Sequence, residues 1–237
     1  MALPKVGYPT YELELPSTGK TVKYRPFLVK EEKVLLLALE AEDEKQVTSA
    51  VKDLLKNCVI SRIKVDQLPS FDLEYLFLKI RAASIGELIT LTVTCLDDNE
   101  TKVEAAINIE DVEVFKPEGH TSKIMFDDTT GIVMKYPSMQ QFVNREFLQK
   151  ELKTEEVYDF IAESIDQIFD GEEVYDSTTT TKKEFRTFVD GLTTKQFEKI
   201  QQFYITCPKL SHTFKVVNPN TGKESEYTIE GLQSFFA

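Results

Sequence analysis

The sequence predicts an α+β fold, in which antiparallel β-hairpins pack against short α-helices in two similar-sized lobes. Two observations lead to this prediction. Four turn-forming segments each separate a pair of strand-like stretches. Between the hairpins, apolar residues recur at the spacing of amphipathic helices.

The first hairpin is predicted over residues 11–25. Apolar and polar side chains alternate over residues 11–15, Pro16-Ser17-Thr18-Gly19 supplies a turn, and alternation resumes after it. The same reasoning predicts further hairpins over residues 90–107, 123–136 and 211–229.

Two helices are indicated by their apolar faces. Residues 45–58 place Val47, Val51, Leu54, Leu55 and Cys58 on one stripe. Residues 154–169 place Val157, Ile161, Ile165 and Ile168 on one face, which predicts a core helix. The acidic, Thr-rich segment 170–180 that follows is predicted to be a mobile surface loop.

Helix starts are indicated by capping-box spacing, in which a hydroxyl and a later Glu or Gln side chain satisfy free N–H groups. Two short helices, divided at Gly191, are predicted after residue 180. The three pairs with this spacing are Ser138 with Gln141, Thr181 with Glu184, and Thr193 with Gln196.

The predicted lobes cover residues 1–116 and 117–237. Their boundary is placed at Lys116-Pro117-Glu118-Gly119, where Pro and Gly interrupt the pattern. Each half reads as a hairpin, then several helices, then a second hairpin. This shared order leads to the hypothesis of an internal duplication, although side-chain identity between the halves is slight.

Composition is that of an ordinary water-soluble domain, with 41% hydrophobic and 29% charged residues. No apolar run approaches the ~20 residues needed to span a bilayer, so no membrane partner is expected. A formal net charge of −12 repels polyphosphate and argues against nucleic acid as a partner. Three widely separated cysteines and the lack of a signal-like N-terminus predict folding in a reducing cytosol.

The motifs that could bind a nucleotide or a metal are weak. Gly19-Lys20-Thr21 resembles the end of a phosphate-binding loop, but Glu14 stands where its first glycine should be, and a strand-like segment follows. Cys95 and Cys207 lie beside hairpins without C-x-x-C partners, so a structural zinc site is not favoured. No cofactor and no metal site are predicted.

The sequence also lacks a recognisable catalytic constellation. His120 and His212 belong to no metal-binding motif, and spacing alone does not support a Cys207–His212 nucleophilic site. Glu31-Glu32 fits the first turn of a helix, and Asp127-Asp128 fits a turn. The protein is therefore predicted to be no enzyme, with a hydrolase of unrecognised site as a remote alternative.

Two segments carry a family resemblance. The first, residues 25–37, passes from an alternating strand straight into an amphipathic helix. The second covers residues 68–87. Together they resemble the baseplate hub and hub-assembly family of T-even-type contractile-tail bacteriophages. Residues 192–200, continuing to 207–212, and residues 229–236 are also similar to that family.

The resemblance implies a late phage protein used in viral tail assembly. The expected role is a non-enzymatic, chaperone-like factor that recognises other baseplate hub or tail proteins in the host cytoplasm. The alternative is a permanent structural subunit of the virion baseplate hub. Neither the partner subunit nor the oligomeric state follows from the sequence.

Two groups of residues are candidates for the partner interface. Arg25, Phe27, Glu31 and Glu32 lie at the strand-to-helix transition, although an exposed Arg25–glutamate pair would contribute only about 0–1 kcal/mol. At the C-terminus, Leu232, Phe235 and Phe236 form an apolar group that could anchor a partner, because aromatic anchors bury large areas. Closure of the protein's own core by both rings is the favoured interpretation, with partner binding as the alternative.

Overall fold

The computed structural model describes residues 7–41, 44–138 and 154–235, and it confirms the α+β prediction. The helices found in these ranges are α1 (Val29–Glu40), α2 (Glu44–Cys58), α3 (Ser70–Ile85), α4 (Thr154–Glu163), α5 (Lys182–Asp190) and α6 (Thr194–Ile205). The first strands are β1 (Tyr11–Glu14), β2 (Thr21–Tyr24), β3 (Leu88–Thr94), β4 (Lys102–Asn108) and β5 (Glu113–Phe115). The later strands are β6 (Lys123–Met125), β7 (Thr130–Met134), β8 (Ile165–Asp170), β9 (Glu173–Asp176), β10 (Lys209–Val217) and β11 (Glu224–Glu230).

All four predicted turns join antiparallel strands, which confirms the hairpins. The pairs are β1–β2, β3–β4, β6–β7 and β10–β11. In the first turn, Gly19 has a φ of 67°, a left-handed conformation that glycine adopts without a steric penalty. The Gly19-Lys20-Thr21 segment is therefore a hairpin turn and does not lead into a helix.

The chain divides into two compact units, residues 1–115 with 209–237, and residues 116–208. This division differs from the predicted lobe 117–237. Strand β10 pairs with both β11 and β5, so the final hairpin joins a sheet of the first unit. The predicted boundary near residue 116 lies beside the start of the second unit. The duplication hypothesis stays a prediction.

The predicted helix over residues 154–169 is wrong in its second half. Helix α4 ends at Glu163, and β8 begins at Ile165, which is paired with Met134 of β7. Ile165 and Ile168 continue the helical spacing of Val157 and Ile161, but they are β-branched residues that also suit a strand. Pairing with β7 determines that residues 165–170 form a strand and do not continue the helix.

The predicted surface loop 170–180 is wrong at residues 173–176. These residues form β9, which pairs with β8 across a tight turn at Gly171, where φ is 60°. The second unit thus contains a sheet in the order β6-β7-β8-β9.

Helices α5 and α6 confirm two of the predicted capping boxes. The hydroxyl of Thr181 accepts from the Glu184 N–H, and that of Thr193 accepts from the Gln196 N–H, with the reciprocal bonds also present. Gln141 lies outside the described residues. The helices pack on the sheet through a buried core that includes Ile132, Ile161, Ile165, Phe185, Val189, Ile200 and Phe203.

Helix α3 is the buried centre of the first unit. Pro69 precedes it, and Gly86, with a φ of 119°, ends it. Apolar residues occur on all of its sides, which is typical of a helix enclosed by other elements. The apolar residues of α3 that are at most 2% exposed are Phe71, Leu73, Leu76, Phe77, Leu78 and Ile80.

Asp72, which is fully buried, ties α3 to the first hairpin. Its Oδ1 accepts a hydrogen bond from the Ser17 N–H at 3.0 Å, and its Oδ2 accepts from the Ser17 hydroxyl. Burial raises the pKa of Asp72 above its ordinary value, although the two bonds from Ser17 act in the opposite direction. The β1–β2 turn is thus held by a carboxyl group inside the core.

Asp72→Asn tests this arrangement through the pH dependence of stability. A carboxyl whose folded-state pKa is raised stabilises the fold fully below its unfolded-state pKa, and that contribution is lost as the pH rises through the folded-state pKa. We therefore expect the wild type to gain stability relative to Asp72→Asn as the pH falls from neutral toward the ordinary carboxyl pKa. Urea unfolding of both proteins over this range measures the difference; a constant difference would contradict the assignment.

Candidate interaction surface

The strand-to-helix transition is fixed to the end of α2. Tyr24, the last residue of β2, forms an isolated antiparallel bridge with Val59. The next residue, Arg25, donates its backbone N–H to the carbonyl oxygen of Cys58 at 3.0 Å. The backbone therefore leaves the hairpin in a defined direction before α1 begins.

The side chains of Arg25 and Glu31 form a buried ion pair, not an exposed one as expected. Arg25 Nη2 lies 3.1 Å from Glu31 Oε1, and the two side chains are only 8% and 4% exposed. Arg25 Nη1 also donates to the Pro26 carbonyl at 2.8 Å. Glu31 Oε2 accepts the Leu28 N–H at 2.7 Å, so the same carboxylate satisfies a backbone donor at the start of α1.

The electrostatics of this pair favour its ionised form. Burial alone would raise the pKa of Glu31, but the hydrogen bonds from Arg25 and the Leu28 N–H outweigh it and lower the pKa overall. Cys58, whose sulfur lies 3.7 Å from Arg25 Nη1, has its pKa raised to about 11, mainly by burial. Burial therefore favours the neutral thiol of Cys58 over the thiolate.

The two segments that carry the family resemblance meet beside this ion pair. The Phe27 N–H donates to Ser84 Oγ at 3.0 Å, and the Ser84 hydroxyl donates to the Ile80 carbonyl at 2.6 Å. The start of α1 is thus bonded directly to the last turn of α3. Phe27 itself is half-buried.

Exposed apolar side chains flank this contact. We call Leu28, Ile85 and Leu88 the junction patch; they are 38%, 56% and 71% exposed, respectively. Leu28 follows Phe27, Ile85 follows Ser84, and Leu88 is the first residue of β3. Exposed apolar residues next to such a bonded contact are suited to bind another protein, and we treat these three as one candidate surface.

The remaining predicted interface residues have different environments. Glu32 is half-buried. Phe235 is only 2% exposed and belongs to the core, in a short 3₁₀ turn over Leu232–Phe235. Phe236 lies outside the described residues. The binding roles of all these residues stay predictions.

The junction patch was missed by the sequence reasoning, which concentrated on Arg25, Phe27 and the glutamates. Leu28 and Ile85 could have been noticed as apolar residues at a helix start and a helix end. Their exposure, however, depends on how α1 and α3 pack, which local spacing does not determine.

Two of the residues considered for catalysis, His120 and Asp127, form hydrogen bonds with neighbouring groups of the fold. His120 is buried, with Nδ1 2.9 Å from Thr206 Oγ1 and Nε2 3.1 Å from Tyr136 Oη, and burial lowers its pKa. The Asp127 carboxylate accepts the N–H groups of Thr129 and Thr130 within its turn. Within the described ranges, no three His, Cys, Asp or Glu side chains converge as a metal-binding group.

A cavity of about 570 Å³ in the second unit is lined by polar side chains, including those of Lys135, Glu163, Lys182 and the threonines 178–181, and by the apolar side chains of Ala162, Ile165 and Phe185. Its cations are already paired. Lys182 Nζ lies 2.8 Å from Glu163 Oε1, and Lys135 Nζ lies 3.4 Å from Asp166 Oδ1. This arrangement gives no reason to assign a ligand.

The described part of the chain is therefore an α+β protein whose clearest site is an apolar patch suited to contact with another protein. No helix in this part is both long and apolar enough to cross a membrane. A family model described as "T4 bacteriophage base plate protein" matches residues 8–237, and the chain belongs to this family. Comparison with curated proteins and with solved structures gave no significant match.

Arg25→Met tests the buried ion pair. The substitution removes the buried cation and leaves the Glu31 carboxylate only the exposed Lys30, whose Nζ lies 3.4 Å from Oε1. We therefore expect a loss of about 3 kcal/mol in the free energy of unfolding at neutral pH, the lower end of the range for a broken buried pair. The loss should shrink as the pH falls and Glu31 becomes protonated in the variant. Lys23→Met is the matched control, because the Lys23–Glu12 pair is about 60% exposed on both sides and should contribute about 0–1 kcal/mol. Equal losses in urea unfolding would contradict the buried pair.

Phe235→Ala tests whether the C-terminal turn closes the core. Truncation of a buried phenylalanine leaves a cavity, so we expect thermal or urea unfolding to reveal a loss of about 3–5 kcal/mol. Phe115→Ala is the control, since Phe115 is 63% exposed and its truncation should cost about 1 kcal/mol or less. A Phe235→Ala protein as stable as the control would show that this ring does not support the fold.

Proposed function

We propose that this base plate protein is a non-enzymatic, chaperone-like assembly factor that recognises other hub or tail subunits through the junction patch. Membership of the base plate family supports a role in tail assembly. The observation that carries the proposal is the exposure of Leu28, Ile85 and Leu88 around the rigid contact between α1 and α3.

Rigidity of the surrounding backbone supports recognition by this patch. Leu28 has its N–H bonded to the buried Glu31 carboxylate, and its neighbour Phe27 is bonded to α3. A preorganised apolar surface loses little conformational entropy on binding, so more of the gain from burial appears as affinity.

The size of the patch favours transient contact. Permanent interfaces commonly bury more than about 2,000 Å² in total and are strongly apolar, whereas transient encounters use smaller surfaces. Three exposed apolar side chains fit the second class. The net charge of −12 would steer the protein toward basic surfaces on its partners.

Mass spectrometry of purified virions, combined with affinity purification from infected cells, tests this role. An assembly factor should be absent from virions, while tail or hub proteins co-purify with it from cells. Stoichiometric presence in virions would instead support the permanent hub subunit. If the protein is absent from virions and no tail protein co-purifies with it from cells, the proposal is contradicted.

The Leu28→Glu/Ile85→Glu double variant tests the patch itself. Buried carboxylates at a partner contact are costly, so we expect at least a tenfold reduction in co-purified tail proteins. Leu96→Glu is the matched control, because Leu96 is 58% exposed in the β3–β4 turn, away from the patch in sequence. Circular dichroism should show that both proteins are folded. An unchanged yield with the patch variant would contradict the proposed surface.

A further inference from the structure

Helix α1 has apolar residues on two opposite faces. Leu35 and Ala38 point to the core, where they are each 7% exposed. The opposite face exposes three large apolar residues, Val29 at 80%, Leu36 at 53% and Leu37 at 55%, while Val34, at 52%, lies to one side of it. Exposed apolar residues on the outer face of a surface helix are suited to cover by another protein surface.

The outer face has the pattern of a helix-pairing seam. Val29, Lys33, Leu36 and Glu40 are spaced by four, three and four residues and therefore follow one stripe along α1, with Leu37 beside it. Lys33 and Glu40 are both exposed, and within the described residues neither has an ion-pair partner. The seam thus has an apolar centre, a cation toward its N-terminal end and an anion at its C-terminal end.

We propose that α1 pairs in antiparallel orientation with α1 of a second copy of this chain, about a two-fold axis between Leu36 and Leu37. Positions equally distant from that axis lie opposite each other. Lys33 of each copy therefore faces Glu40 of the other, while the leucines pack at the centre. A parallel arrangement would place like charges together, so the charges select the antiparallel one.

The charges of the seam favour a second copy as the occupant. Two copies of a protein with a net charge of −12 repel each other in general, and the unit that contains α1 has 17 Lys and Arg against 23 Asp and Glu. Within the seam, however, one cation and one anion stand at positions that an antiparallel copy of α1 brings together, so the contact itself is complementary in charge.

The size of the seam sets the expected affinity. Twelve helical residues span about 18 Å, which is shorter than most stable interfaces require. The dimer is therefore expected to dissociate in the micromolar range. The seam contains none of the junction-patch residues, so self-association and partner binding can fail separately.

Sedimentation velocity of the full-length protein, over concentrations up to about 100 μM, tests the pairing. We expect a reversible monomer–dimer equilibrium whose dissociation constant rises at least tenfold in Leu36→Ser/Leu37→Ser. Leu96→Ser is the control with matched exposure and should leave the constant unchanged. Circular dichroism should show that each variant is folded.

A charge exchange gives the sharper test, because it does not remove apolar surface. Lys33→Glu and Glu40→Lys should each weaken the dimer, and the combined variant should restore it, since the opposed charges are then complementary again. Loss of dimer without restoration, a monomer at all concentrations, or a dimer insensitive to these changes would overturn the proposal. A monomer whose seam variants lose co-purifying tail proteins would also overturn it and would assign the seam to another subunit.

Discussion

Helix α3 is largely buried, and three of its polar side chains bond to other parts of the first unit. Asp72 bonds to Ser17 in the β1–β2 turn, and Ser84 bonds to the Phe27 N–H. Lys79, which is 7% exposed, places its ammonium group 2.9 Å from Glu110 after β4. Asp72 is fully buried, in a region of low dielectric where an unsatisfied group would be costly, whereas the Glu110 side chain is 52% exposed. These contacts fix the hairpin, the start of α1 and the end of β4 around one helix.

The proposed contact surface follows from this arrangement. The Arg25–Glu31 pair closes the space between β2 and α1, and Glu31 also accepts the Leu28 N–H. Arg25 and Glu31, which were candidates for partner contact, are thus buried in an internal ion pair, while the neighbouring Leu28 and Ile85 side chains stay exposed. In the proposed role, such a division gives a hydrogen-bonded support with an apolar contact surface. Buried ion pairs contribute less to net stability than their geometry suggests, so their effect here is chiefly to define conformation.

Local signals predicted much of this fold but not its long-range pairings. The turns at Gly19, Asp97–Glu100, Asp127–Gly131 and Asn218–Gly222 were recognisable because turn chemistry is local. Ile165 and Ile168 were misassigned to a helix because only pairing with β7 distinguishes their strand from a helical continuation. The association of β10 with β5 likewise joins distant segments. At the candidate site, the sequence drew attention to the strand-to-helix transition, but whether Arg25 is buried and Leu28 exposed depends on tertiary packing.

Hydrogen–deuterium exchange of the isolated protein, resolved to single amides along residues 73–85, tests most directly whether α3 organises the first unit. If it does, these amides exchange only through global unfolding and are the slowest in residues 7–115. The Leu28 and Phe27 amides, which are bonded to Glu31 and Ser84, should be protected more than those of the exposed strand β1. Exchange of α3 at the rate of β1, or by local opening while the hairpin stays closed, would contradict this account.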